Sequence, residues 1–441
     1  MPTSSKNERT RAGCWTCRAR RKKCDETRPH CSSCASLGLE CEGYGFRLKW
    51  GMPRAKVPKI RSRNSDVKKV QFEPSLTRSP EEHPSSNQAL MYHLGKDLYQ
   101  SLTPLQLEIM QGFIDWGAAI LVSRIKLHIE KYFEIFVGSR SLLTSCLAYQ
   151  IMLEPRYAHL AEQYYVRSIE QFRREITDLK QVEREKTIFS GLVLCSISMT
   201  RGVPWTFHLH GIYSLVDGAH INSEKEGHTR DQVFLIAITD IPTHVLGRKT
   251  SHLHIWHRSC RNRPGVEDSI GLPCSLVDRL CDIAEPDIEA RLTAWPGEQG
   301  TEDQCLLWDL TRHAGMIAAS NYRTEHRLAE HPGVSEKAVA FAVQHIITCA
   351  RQIRVRDGHI VHETKSTLLF PLVMAASQPS HLLGPDKDLI VGCISDLASG
   401  TLDQFPYYGN VVRALREFWD HGAGRSLEQV VVDLDLELGL F

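Results

Sequence analysis

The sequence predicts a mostly α-helical protein: a small N-terminal cysteine-rich module, a flexible linker and a large all-α body. Three observations carry that reading. Six of the 14 cysteines crowd between positions 14 and 41, and the other eight are scattered. Residues 1–70 hold 18 Lys and Arg against six Asp and Glu, whereas the remainder holds 35 against 46. From about Met91 onward apolar residues recur at helical spacing, and period-2 alternation between turn residues is scarce.

At 441 residues the chain exceeds what one core usually organises, so two or more domains are expected. With 42% apolar and 24% charged residues it has the composition of ordinary soluble domains, which excludes a mostly disordered, collagen-like or disulfide-scaffold chain. The net charge of +1 hides a basic front and an acidic body. A basic module of this kind is the electrostatic footprint of a phosphate-bearing partner, nucleic acid first and an anionic membrane surface second. No long apolar run occurs and the polar stretch Pro2–Arg11 does not suit a signal peptide, so an intracellular protein without membrane association is expected.

The cysteines of the front module form a repeat. Cys14, Cys17 and Cys24 are followed by Cys31, Cys34 and Cys41, each triplet reading Cys-x2-Cys-x6-Cys. In a reducing compartment such a cluster points to metal, and soft thiolates suit Zn²⁺ in tetrahedral coordination. Two four-coordinate ions need eight bonds, and six thiolates supply them only if two thiolates bridge. The symmetry of the repeat makes Cys14 and Cys31 the natural bridges, with Cys17 and Cys24 completing one ion and Cys34 and Cys41 the other. A single zinc on Cys14, Cys17, Cys31 and Cys34 is the rival arrangement, and it strands Cys24 and Cys41.

Between Cys17 and Cys24 five of six residues are basic: Arg18, Arg20, Arg21, Lys22 and Lys23. The equivalent interval, Ala35–Glu40, has none, so only the first half of the repeat is equipped to meet phosphates, or guanine O6 and N7 in a major groove. In its six-cysteine spacing, this basic interval and Pro29 ahead of the fourth cysteine, the segment resembles the fungal zinc binuclear cluster (Zn2Cys6) transcription factors. The resemblance implies two short helices around two Zn²⁺ ions, the first helix placed in the major groove of double-stranded DNA at CGG-like triplets. It also implies base reading by Arg20 and Arg21, with Arg18, Lys22 and Lys23 on phosphates or supporting the helix end.

Beyond the cluster, residues 42–70 form a basic arm that completes a module spanning 1–70. Arg54–Arg63 adds five cations to the tetrapeptide Arg20–Lys23, a pattern that fits nuclear import as well as DNA contact. A homodimer is open, since the arm lacks the sustained heptads of a coiled coil. Residues 71–92, with prolines and serines, read as a flexible linker, and 93–441 as the helical regulatory body. Within it, Leu160, Ala161, Tyr164, Tyr165, Ile169, Phe172 and Ile176 lie down one helix face, and further helices are predicted over 105–136, 187–200, 336–356 and 411–421. Loops are predicted at 201–204, 262–273 and 379–385, where Gly and Pro gather. Trp205-x2-His208-x2-Gly211, Leu368–Ala376 and the stretch from Gly409 and Asn410 to Trp419 resemble the helical regulatory domain that follows this cluster in fungi. The closest resemblance is to the shorter, acriflavine-sensitivity-control-like members.

No nucleotide-binding, nucleophile-elbow or zinc-hydrolase motif occurs, so no catalytic residues are assigned. His252, His254, His257 and Cys260 have ligand-like spacings, but Leu253, Ile255 and Trp256 between them read as an element passing from surface to core. Trp205 and His208 read as a core tryptophan beside a hydrogen-bonded histidine, with a pocket lining as the other reading. Cys274 and Cys281 read as buried structural thiols. Val431–Phe441 alternates acidic and bulky apolar residues, which fits packing on the body, or an acidic segment for transcription coactivators. The functional expectation is a nuclear, sequence-specific DNA-binding regulator of RNA polymerase II genes, an activator rather than a repressor. The competing reading is a zinc-stabilised protein-interaction module fused to a helical small-molecule-binding or enzymatic domain.

Overall fold

The computed structural model describes residues 16, 17, 20, 22–25, 27, 31–37, 39, 41, 94, 96–118, 121, 139–177, 184–217, 227–267, 270–326, 335–355, 365–398, 406–422 and 424–441. The chain divides into two compact units, Met1–Gln71 and Phe72–Phe441. The expected linker at 71–92 lies outside the described residues.

In the first unit residues 16 and 17 are helical, and the Arg20 N–H donates to the Thr16 carbonyl at 3.2 Å, which carries the turn on to Arg20. A second short helix, α1, spans Ser32–Ala35.

The second unit is helical. It runs α2 (Lys96–Ser101), α3 (Pro104–Gly112) with a π-helical turn at Phe113–Gly117, α4 (Arg140–Leu153), a 3-10 turn at Pro155–Leu160, α5 (Ala161–Thr177), α6 (Arg184–Arg201) and α7 (Thr206–Asp217). It continues through α8 (Gly227–Thr239), α9 (Ile255–Ser259), α10 (Cys274–Cys281), α11 (Ile288–Thr293), α12 (Glu302–Glu325) and α13 (Glu336–Val355). The last helices are α14 (Leu369–Ala376), α15 (Gly384–Ala398), α16 (Pro406–His421) and α17 (Leu427–Asp433).

Local chemistry starts these helices where the sequence places polar caps. Thr103 before α3 and Thr301 before α12 form capping boxes with Gln106 and Gln304, and the hydroxyls of Ser139 and Ser426 accept from the first turns of α4 and α17. On α5 the buried residues Tyr164, Ser168 and Phe172 fall four apart and make one face, as the periodicity predicts, while Leu160 ends the preceding 3-10 turn. Predicted helix 105–136 is described only through residue 118 and at 121. Gly384 and Pro385, predicted to lie in a loop, instead open α15, where a first-turn proline loses no hydrogen bond.

The core is continuous through the second unit, with Phe113, Phe172, Trp205, Trp256, Trp308 and Phe370 among its most buried large side chains. Gly191 lets α6 and α7 approach closely: a Cβ there would stand 2.4 Å from Ile212 Cγ1. Among the described residues the only sheet is two residues wide on each side. β1 (Val245–Leu246) pairs antiparallel with β2 (Leu438–Gly439), with Val245 opposite Gly439. The tail therefore packs. Leu436 to Phe441 are all buried, and the Leu440 N–H donates to the His244 carbonyl at 2.7 Å. No described helix is long and apolar enough to cross a membrane.

Candidate metal centre and nucleic-acid interface

The cysteine module folds around sulfur. Cys17, Cys31 and Cys34 are buried, and among the described residues they are the whole of its core, with Cys24 and Cys41 packed against them. Cys17 Sγ lies 3.7 Å from both Cys31 Sγ and Cys34 Sγ. Ligands on one tetrahedral zinc with bonds of roughly 2.3 Å stand roughly 3.8 Å apart, so the donor set and its spacing fit the ion. Cys24 groups with Asp25 and Cys31 within 4.8 Å. Cys41 Sγ accepts from the Cys31 N–H at 3.4 Å, which ties the last cysteine to the fourth. Cys14 lies outside the described residues. The sulfur of Cys17 is equally close to Cys31 and Cys34, so distance alone does not divide the thiolates between two ions.

Cys31 has a second task. It is the N-cap of α1, and its sulfur accepts from the Cys34 N–H at 3.3 Å, so the helix start and the sulfur cluster share one atom. Asp25 completes this end, a contribution that sequence reasoning did not find. Its carboxylate accepts from the Ser32 N–H at 2.9 Å, the Ser33 N–H at 3.0 Å and the Ser33 hydroxyl at 2.9 Å, spanning from the third cysteine to α1. The Thr27 hydroxyl, followed by the Ser33 and Ser32 groups, holds this carboxyl far below the usual carboxylate range. The available signal was its place directly after Cys24; nothing in the spacing shows that it reaches seven residues ahead.

Arg20, Lys22 and Lys23 are exposed beside this core, and the Lys22 N–H donates to the Cys17 carbonyl at 3.0 Å. The cations are thus carried on backbone anchored at a buried cysteine of the sulfur cluster. Arg18 and Arg21 lie outside the described residues.

A model of the fungal Zn(2)-Cys(6) binuclear cluster domain matches residues 12–51. The chain carries that domain. A second model, the fungal specific transcription factor domain, matches residues 129–303, within the helical unit. Among curated relatives the chain is 54% identical over 50 residues to transcription factor phomR' of Diaporthe leptostromiformis, covering 11% of this chain and 8% of that one. It is 42% identical over 79 residues to the aspercryptin biosynthesis cluster-specific transcription regulator atnN of Emericella nidulans, covering 18% and 13%. With arginine metabolism regulation protein II of Saccharomyces cerevisiae it shares 33% identity over 107 residues, covering 23% and 10%. The matches thus span only a small part of each relative's length. No solved structure matches the chain. Both matched domains are those of transcription factors, which are not enzymes.

The other candidate residues take structural places. His252 is bonded to the backbone carbonyl and lies 3.5 Å from the carboxylate of buried Asp240, and burial pushes its imidazole down to about 4. His254 turns the chain at φ +55° ahead of α9 and its ring lies 4.3 Å from that of His252, but His257 is exposed and Cys260 is buried, and no three of the four bring ligand atoms within 4.8 Å of one another. Trp205 is a core residue packed edge-on against Phe441. His208 is buried with Nε2 3.1 Å from the Ser198 hydroxyl, and burial, with Arg173 adding to it, pushes it down to about 3. Cys274 is buried and Cys281 half-buried, and burial raises both thiols.

Proposed function

We propose that the chain is a nuclear, sequence-specific DNA-binding regulator of RNA polymerase II genes. Two Zn²⁺ ions held by Cys14, Cys17, Cys24, Cys31, Cys34 and Cys41 would build a module that reads G/C-containing, CGG-like sites in the major groove. Arg20 and Arg21 serve base edges, while Arg18, Lys22 and Lys23 serve phosphates. The observation that carries the reading is the exposed row Arg20, Lys22 and Lys23, anchored through the Cys17 carbonyl to a core made of cysteine. A protein-interaction zinc module explains such a core but not five cations in one six-residue interval.

Activation is the proposed sign, through coactivators. The buried tail at Leu436–Phe441 offers no surface for them, so the recruiting surface belongs elsewhere on the chain. Homodimer formation on paired half-sites belongs to the same proposal. The test is zinc content of the full chain together with site selection from randomised duplexes at stated salt. Two zincs in the cluster and an enriched G/C triplet support the reading, and the spacing of paired triplets reports the dimer. One zinc there, or no enrichment from a folded chain, moves the function to protein interaction.

A further inference from the structure

Helices α12 and α13 pack against each other, and one turn of each brings two side chains of metal-binding chemistry to the contact. Asp309 and His313 stand four apart on α12; His345 and Cys349 stand four apart on α13. His345 Nε2 lies 2.8 Å from Asp309 Oδ2, and Cys349 Sγ lies 3.9 Å from His345 Nε2. The two imidazole centroids are 4.6 Å apart, and Asp309, His313 and His345 can each offer a ligand atom within 4.8 Å of the others. Four-coordinate zinc with bonds of roughly 2.0–2.3 Å keeps its ligand atoms roughly 3.3–3.8 Å apart.

We propose that Asp309, His313, His345 and Cys349 form a zinc-class transition-metal site that fastens α12 to α13. The inference stands apart from the DNA-binding module. Oxygen, two imidazoles and sulfur make a donor set that zinc accepts, and the thiol proton of Cys349 passes to solvent on binding. His313 is prepared for the role: its Nδ1 faces the Asp309 carbonyl at 2.8 Å, and because a carbonyl only accepts, the proton sits on Nδ1 and the Nε2 lone pair is the ligating one. His345 is held by Phe341, whose ring stacks on it at 5.8 Å and 7° although that phenylalanine is 63% exposed. His313 and Cys349 are buried, while Asp309 and His345 are partly open, which gives an ion a path from solvent.

One neighbour competes. The Arg312 guanidinium donates to Asp309 Oδ1 at 2.7 Å and stands 3.4 Å from His313 Nε2, occupying two of the acceptors a cation would use. That competition makes the proposal testable. The full chain is titrated with Zn²⁺ against a chromophoric chelator beside His313→Ala/His345→Ala and Arg312→Gln. The chain should take up one Zn²⁺ more than the double variant, whatever the cysteine cluster holds, because the cluster is common to all three. Arg312→Gln removes a positive charge beside the ion and should bind that additional ion about ten-fold more tightly, whereas a network that merely staples the helices only loses a bond. Equal uptake by the chain and a folded double variant overturns the site. If the double variant does not fold, unchanged affinity in Arg312→Gln overturns it alone.

Discussion

The carboxylate of Glu437 caps the first turn of α7, accepting from the backbone N–H and the hydroxyl of Thr206 at 2.9 and 2.6 Å. It also accepts from the N–H groups of Trp205 and Lys249, and it is fully buried. One side chain from the tail thus satisfies donors at a helix start and in the strand-exit segment after β1.

Removing it leaves those donors buried. Glu437→Ala should destabilise the helical unit by about 3 kcal/mol, read as a lower urea midpoint with an unchanged slope. An effect within about 0.5 kcal/mol, the size of an ordinary surface change, would show that the cap is not what holds the tail.

Acid should loosen the same unit. His208 and His244 are buried, and each is pushed down to about 3, His244 between the rings of Phe370 and Phe441. In the unfolded chain they titrate near 6.5, so between about pH 6.5 and 3 the unfolded state binds two more protons. Their stabilisation is complete above about pH 6.5 and is lost as pH falls, each at about 1.4 kcal/mol per unit. Glu428 opposes them: burial raises it from 4.5 to about 7, so its contribution is present below 4.5 and lost as pH rises through 7. With His252, pushed down to about 4, on their side as well, three groups against one leave a net loss on acidification. Urea midpoints measured from pH 7.5 to 5 should fall, and His244→Phe should flatten the slope by about one proton.

In the module, Asp25→Ala should release zinc to a chelator about ten-fold more readily, as loss of a supporting hydrogen-bond shell does elsewhere. Cys31→Ser should go further and disturb both ions, since Cys31 is proposed as a bridge. Retention of one intact four-thiolate site, seen in the charge-transfer spectrum of the cobalt-substituted chain, would remove Cys31 from that role.

On DNA, Arg20→Ala should cost about 1–3 kcal/mol and relax preference at one base position. Lys23→Ala should weaken all sequences alike and reduce the slope of log affinity against log salt by about one. Equal loss of sequence preference in both variants would undo the division between base and phosphate contacts.

What was legible depended on how local the cause is. The cluster was readable because ligand spacing is written over 28 residues, and α5 because Tyr164, Tyr165, Ile169, Phe172 and Ile176 repeat with the helix. The tail left two readings, since alternating acids and apolar residues describe an exposed segment as well as a packed one. Burial of Glu437 beneath α7 decides between them. The spacing of His252 to Cys260 looked like a ligand set, but buried Asp240 takes His252 and the chain turns at His254. Asp309 and His345 went unnoticed because each pair is ordinary within its own helix; only the packing of α12 on α13 joins residues 36 apart.

The cysteine-only core of the module carries one more consequence. Among its described residues the module's core is cysteine alone, so there metal capture rather than apolar burial supplies the drive to fold, and capture of metal and acquisition of structure become one event. The helical unit has a continuous apolar core whose burial drives its folding. The two parts of one polypeptide therefore lean on different supplies, the larger chiefly on burial from water and the smaller on the cell's exchangeable zinc. A molecule short of zinc keeps its helical body and lacks the module proposed to read DNA.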